Sequence, residues 1–240
     1  MHRFFCPDIT TQFQLPESES RHCTRVLRLG VGDEIEVVDG KGGIHTCRIS
    51  VANSRLCSVE IIQSRIEHPH WGHDITLAIA PTKNADRIEW LAEKVTELGI
   101  NRIIPIRCRH SERKELKIDR IAKIMVSAMK QSLKAYLPHL DQMTPIADAI
   151  TSATGQKFIA YCGPEAASND LSQLYTPCQD VTIMIGPEGD FSEEEVSAAI
   201  ASGFTPVTLG KSRLRTETAA LYAVAAIHAL DQQQTKPLPQ

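Results

Sequence analysis

The chain lacks the marks of several protein classes. Its apolar runs are short: Ile183–Met184–Ile185 is typical, far below the ~20 residues that a membrane-spanning helix needs. The opening Met1–His2–Arg3–Phe4–Phe5–Cys6–Pro7–Asp8 has no apolar core before a small-residue cleavage site, so no secretory signal is expected and the cytoplasm is the expected location. The seven cysteines are odd in number, and no two are spaced Cys-x-x-Cys. A disulfide framework or a zinc knuckle would show closer, paired spacing. Free thiols buried as small hydrophobes are expected instead. The sequence has no Gly-x-Ser-x-Gly elbow and no His-Glu-x-x-His, so the common nucleophile and zinc-peptidase arrangements are absent.

Two partial motifs also fail. Gly210–Lys211–Ser212 resembles the end of a Walker A loop, but Thr205 stands where that loop needs its first glycine. Gly40, Gly42 and Gly43 lack the third glycine of a dinucleotide fingerprint, because position 45 is His, and they follow a β-rich stretch rather than opening a helix. The histidines of Glu67–His68–Pro69–His70–Trp71–Gly72–His73 have no cysteine or carboxylate at zinc-set spacing. This stretch reads as a solvated linker, and no metal is expected.

What is present is globular. Hydrophobic residues make up 42% and charged residues 23% of 240 residues, enough for one large or two smaller domains with a sizeable core. Residues 1–66 read as a small β-barrel. Glu34–Val38 runs into the turn cluster Asp39–Gly40–Lys41–Gly42–Gly43, followed by strand-like Ile44–Val51 and Leu56–Gln63. Apolar spacing between Ser18 and Leu29 is helical, ending at Gly30. Residues 67–73 form the linker.

From 74 to 232 strands and helices alternate. Ile75–Ala80, Arg102–Ile106, Phe158–Cys162, Val181–Ile185 and Thr205–Leu209 read as strands. Asp86–Leu98, Ile118–Leu137, Glu193–Ser202 and Thr216–Asp231 read as helices. This order predicts an α/β domain with a mostly parallel sheet. Residues 233–240 read as a disordered tail. The net charge of −3 conceals an uneven map: residues 102–134 hold ten basic and three acidic residues, and 141–200 hold one lysine and ten acids. The basic run is dense enough to meet a phosphate backbone, although such runs are equally often a solvated helix face.

Three strands end in Gly- or Pro-bearing loops: Tyr161–Cys162–Gly163–Pro164–Glu165, Gly186–Pro187–Glu188–Gly189–Asp190–Phe191 and Gly210–Lys211–Ser212–Arg213–Leu214–Arg215. Ligands of open α/β sheets bind beyond the carboxyl ends of strands, and glycines there let backbone groups come close to a ligand. Ser192 with Glu195 reads as a capping box opening a helix. With no obvious nucleophile or metal centre, the pattern fits chemistry whose reactive group arrives on a cofactor.

The second and third loops, Ile185–Phe191 and Leu209–Ala219, resemble the signature loops of the SPOUT superfamily of methyltransferases. His22-x-x-x-Val26–Leu27–Arg28–Leu29-x-x-Gly32–Asp33 and Val38–Asp39–Gly40 are similar to the N-terminal domain of the RsmE family within it. Lys83, Glu89–Trp90, Lys94-x-Thr96–Glu97–Leu98–Gly99 and Gln131–Ser132 extend the resemblance. It implies a PUA-like RNA-binding β-barrel, a C-terminal trefoil-knotted methyltransferase domain and a homodimer. The implied activity is S-adenosylmethionine-dependent methylation of uracil N3 in 16S ribosomal RNA of the small subunit. A knotted ribose 2′-O-methyltransferase and a non-catalytic ribosome assembly factor remain the alternatives. The cofactor would lie on Gly163, Ile185, Gly186, Glu188, Gly189, Leu209, Gly210, Ser212 and Leu214. Arg215 would orient the uracil or its phosphate, unless it pairs with Glu217 or Glu188. RNA would meet Arg3, Arg25, Arg28, Arg109, Arg113 and Lys114.

Overall fold

A computed structural model describes residues 1–235. The chain divides into two compact units, Met1–His70 with Val126–Leu137, and Trp71–Met125 with Pro138 onward.

Unit 1 begins with β1 (Arg3–Phe5), the short helix α1 (Ile9–Gln12) and α2 (Glu17–Arg21). The helical path continues over His22–Val26 with wider turns, and Leu27 N–H donates to the His22 carbonyl five residues back. Strands β2 (Glu34–Val38), β3 (Gly43–Val51) and β4 (Ser58–Ile66) follow. They pair in the order β1-β2-β3-β4, with β1 parallel to β2 and the rest antiparallel. Alternation decides the faces: Ile35 and Val37 are buried while Glu34 is exposed. The turn cluster before β3 is held by Asp39, whose Oδ1 accepts from the backbone N–H of Lys41 and Gly43. Gly40 and Gly42 take φ values of 79° and 102° there, a region that suits glycine.

The far edges of this sheet approach closure. Leu15 N–H donates to Cys57 O, and Val59 N–H donates to Phe13 O, so the segment after β1 pairs with the start of β4. Irregular register between β3 and β4 adds the local twist that such curling needs. Phe4, Ile9, Leu15, Ile35, Val37 and Ile49 fill the interior together with Cys6, Cys23, Cys47 and Cys57. A second cluster joins Val38 and Ile44 to Met129 and Ala135.

Unit 2 contains β5 (Ile75–Ile79), α3 (Ala85–Leu98), β6 (Arg102–Arg107) and the start of α4 (Ile118–Gln131). It continues with β7 (His139–Leu140), β8 (Thr144–Pro145), α5 (Ile146–Ser152) and β9 (Gln156–Ala160). The remaining elements are α6 (Leu171–Leu174), β10 (Val181–Ile185), α7 (Glu193–Ala201), β11 (Thr205–Val207) and α8 (Thr216–Thr235). The sheet runs β11-β9-β10-β5-β6-β7, with β8 also on β6, and every pairing is parallel. Every residue of β5 and β10 is buried, as expected of central strands covered on both faces. Helix α3 is capped by the Asn84 side chain, turns Ile88, Leu91, Ala92 and Val95 inward, and stops at Gly99. Gly99 has φ 111°, and the Trp71 ring lies where a side chain would stand.

Four expectations change. Helix α4 ends at Gln131 rather than Leu137, because Leu133 turns the chain at φ 57°. The elements β7, β8 and α5 were not foreseen. Residues 233–235 of the expected tail belong to α8, and 236–240 lie outside the described residues. His73, read as part of a solvated linker, has a buried side chain: Tyr175 Oη donates to Asp231 Oδ1 at 2.8 Å and lies 3.2 Å from His73 Nε2. Among the described residues no helix is long and apolar enough to cross a membrane, and no three His, Cys, Asp or Glu side chains form a metal set.

Candidate functional site

The carboxyl ends of β9, β10 and β11 open into a cleft of about 840 Å³. All three loops singled out from the sequence contribute to it. Strand β10 delivers Ile185 and Gly186, and a turn in which Asp190 N–H donates to Pro187 O sets Glu188 and Gly189. A Cβ on Gly186 would stand 3.1 Å from the Phe191 ring, and one on Gly189 would stand 3.2 Å from His110 Cβ. Those contacts leave little room for larger residues. The loop after β11 passes through Gly210 at φ 101° and ends where α8 begins at Thr216. The expected capping box is present: Ser192 Oγ accepts from Glu195 N–H, and Glu195 Oε2 accepts from Ser192 N–H.

One side chain ties two loops together. Asp190 Oδ2 accepts from Cys162 N–H at 3.1 Å, and Oδ1 accepts from its neighbour Phe191 N–H at 2.8 Å. Asp190 holds φ 61° to do so, an uncommon conformation for a residue with a side chain. Beside it, His110 Nδ1 lies 3.1 Å from Asp190 O, which assigns the proton to Nδ1. Glu188 Oε1 accepts from Lys83 N–H at 3.0 Å. The Cys162 thiol is raised above its ordinary value, first by desolvation and then by the charge of Asp190.

Ile185, Gly186, Glu188, Gly189, Leu209, Gly210, Ser212, Leu214 and Arg215 all line the cleft. Gly163 does not: the lining stops at Tyr161 and Cys162, because the Tyr161 ring folds back against Gly163. Sequence reasoning missed Arg87, which reaches the cleft from α3. It lies among the polar positions of that helix, and nothing in its spacing marks it. Arg87 Nε also takes the partner considered for Arg215, standing 3.6 Å from Glu217 Oε1. Arg215 thus enters the cleft without an ion pair to Glu217 or Glu188 among the described residues.

The residues expected to meet RNA fare unequally. Arg25 and Arg28 are exposed on unit 1, Arg25 within 3.3 Å of Ser54 Oγ and Arg28 at φ 57°. Arg3 is a correction: its side chain is 8% exposed and paired with Glu36, so its charge is spent inside the unit. On unit 2, Arg109 pairs with Glu194 at 3.0 Å, an exposed and therefore weak pair. Glu194 is held below the usual carboxylate range by hydrogen bonds at the start of α7, its own backbone N–H first, and by Arg109. Arg113 donates to the carbonyls of Thr82 and Lys83, so it holds a loop in place. Arg102, Arg120 and Lys130 are also paired, with Asp141, Glu89 and Glu19. Lys114, Arg107, Lys117 and Lys123 are exposed and take part in no ion pair among the described residues.

The RNA methyltransferase domain family matches residues 69–228, and an RNA methyltransferase PUA domain matches residues 15–62. The chain is 31% identical over 224 residues to a ribosomal RNA small subunit methyltransferase E from Synechocystis, covering 90% of this chain and 72% of the relative. A crystal structure of a "probable rRNA-methyltransferase" from Porphyromonas gingivalis superposes with a TM-score of 0.92 at 41% identity, covering 98% of this chain and 100% of the other. The ribosomal RNA small subunit methyltransferase E from Neisseria gonorrhoeae, solved bound to S-adenosylmethionine, gives 0.83 at 30% identity, covering 96% and 98%.

Proposed function

Because this chain belongs to the ribosomal RNA small subunit methyltransferase E family, we propose that it methylates N3 of a uracil in 16S ribosomal RNA, with S-adenosylmethionine as methyl donor. The observation that carries the reading is the cleft of about 840 Å³ at the ends of three parallel strands, inside the matched methyltransferase domain. The residues fit the donor. Gly186 and Gly189 have almost no space for a Cβ, so the backbone itself forms the wall, which suits a flat, hydrogen-bonding adenosine. When bound, S-adenosylmethionine supplies an electrophilic methyl group on sulfonium sulfur.

The chain's own residues do the rest. Backbone groups of Ile185–Gly189 and Leu209–Leu214 hold the donor, with Leu209 and Leu214 as apolar contacts. Arg215, in no ion pair among the described residues, orients the uracil and stabilises the negative charge that develops on the base. The base must leave its stack to reach the cleft. Arg25 and Arg28 on unit 1, and Arg107, Lys114, Lys117 and Lys123 on unit 2, bind phosphates.

The reading includes a trefoil knot in unit 2, a homodimer and a cytoplasmic site of action on the small ribosomal subunit. Helices α3 and α8 pack together and leave the large rings of Trp90 and Tyr222 exposed, a surface that dimerisation would cover.

Calorimetry with S-adenosylmethionine, followed by incubation with small subunits lacking base methylation and mapping of the methyl group, tests the reading. A methyl on uracil N3 is expected. A methyl on a ribose hydroxyl would overturn the substrate assignment, and a folded chain that binds no donor would overturn the enzyme.

A further inference from the structure

The cleft has four basic side chains, and one differs from the rest. Lys211, Arg213 and Arg215 sit on the loop between β11 and α8. Arg87 projects from the first turn of α3, a helix capped by Asn84 and packed on α8. A group on a regular helix is held more firmly than one on a loop.

Its carboxylate neighbour is unusual. Glu217 is 7% exposed, in the first turn of α8. Burying a carboxylate is costly unless it is paired and hydrogen-bonded. Yet Arg87 Nε stands 3.6 Å from Glu217 Oε1, too far for a hydrogen bond, and Glu217 Oε2 has no hydrogen-bond partner. The free amide groups at the helix start compensate part of the charge. A pair serving only to join α3 to α8 would be expected to close to hydrogen-bond distance. Here the contact is longer, and Arg87 lines the cleft with its side chain 37% exposed.

We propose that Arg87 is the oxyanion-binding residue of the cleft and that Glu217 positions it. The planar guanidinium presents two parallel N–H groups that match a carboxylate or a phosphate. Two such groups reach this site in the function proposed above, on which this inference rests: the carboxylate at the methionine end of the donor, and the phosphate of the target nucleotide. Glu217 takes the Nε side of the fork and thereby aims the other side outward.

The test uses the full chain with Arg87→Gln, Arg87→Lys and Glu217→Gln. Calorimetry measures affinity for S-adenosylhomocysteine, which carries the carboxylate, and for 5′-methylthioadenosine, which lacks it. Methylation assays give the KM for small subunits. If the anion is the carboxylate, Arg87→Gln weakens S-adenosylhomocysteine by about 10- to 100-fold and leaves 5′-methylthioadenosine unchanged. If it is the phosphate, both affinities stay and KM rises by about the same factor. In either case Arg87→Lys recovers part of the loss. Glu217→Gln weakens the same arm, and the double variant is no worse than Arg87→Gln alone, as coupled residues require. Affinities and KM all within about twofold of the parent, with only the melting temperature lowered, would reduce Arg87 to a strut and overturn the inference. A parent chain that binds neither nucleoside would instead overturn the functional reading itself.

Discussion

Unit 2 sets glycines among the residues that line its cleft. Parallel strands end together; a Cβ would crowd Phe191 at Gly186 and His110 at Gly189, and Gly210 holds a φ of 101° that strains any other residue. Unit 1 offers the tips of long side chains, Arg25 and Arg28, beyond a sheet closed around four thiols. A backbone wall fails when an atom is added. A surface of charges fails by degrees, as each charge is removed. The first kind of site leaves sharp marks in a sequence, because the residue type is forced. The second leaves only charge, which many solvated faces share.

The comparison breaks most sharply at glycine. Gly186→Val places methyl groups against Phe191 and should lower donor affinity by at least about 100-fold, as read by calorimetry, while RNA affinity of the intact chain changes little. Equal losses in both would mean that the two functions are not separable by unit. Next is the buried network of unit 2. Asp231→Ala leaves Tyr175 Oη and Cys178 N–H without the acceptor they share, at a cost of about 2–4 kcal/mol in denaturant unfolding. Asp231→Asn, which keeps an acceptor oxygen, should recover most of it. An Asp231→Ala variant as stable as the parent would show the network to be dispensable.

Smaller effects belong to unit 1. The pair Arg25→Glu and Arg28→Glu should weaken RNA binding by about tenfold and reduce the salt slope by about two charges; an unchanged slope would remove this surface from the interface. The smallest effect is alkaline. Burial raises all four unit 1 thiols, Cys23 to about 12 and Cys47 to about 11, from an ordinary 9.0. A raised folded value gives stability that is complete below the unfolded pKa and disappears as pH climbs through the folded one. Melting temperature should therefore be flat with respect to these groups up to about pH 9 and fall between there and pH 12. Thiol reagents near pH 8 should reach Cys162 and Cys178 of unit 2 first, since the other five cysteines are buried. Uniform labelling of all seven would contradict that.

Much of the fold was legible because burial forces composition. The runs 75–79 and 181–185 are apolar on every residue but a threonine each, as strands covered on both faces must be. Strands β7 and β8 are two residues long and exist through their pairing with β6, so no periodicity could announce them. Helix α4 stops short of the expected Leu137 because Leu133 turns the chain with no glycine to signal it. In the site, eight of the nine expected cofactor residues line the cleft, since glycine and strand ends locate loops well. Arg3, Arg109 and Arg113 stand against Glu36, Glu194 and the carbonyls of Thr82 and Lys83, partners that no spacing in the sequence announces. Arg87 went unseen for the same reason, as its importance comes from a residue 130 positions away in the chain, Glu217.

Helix α4 starts in unit 2, and from Val126 onward it belongs to unit 1, where Met129 and, just past its end, Ala135 complete an apolar cluster with Val38 and Ile44. The N-terminal segment therefore cannot be excised at residue 70 as a self-sufficient module. Such a fragment would bare Val38 and Ile44, stick to itself, and have lost part of its own interior to the sequence left behind. The two units are interleaved along the chain, so no single cut separates one from the other.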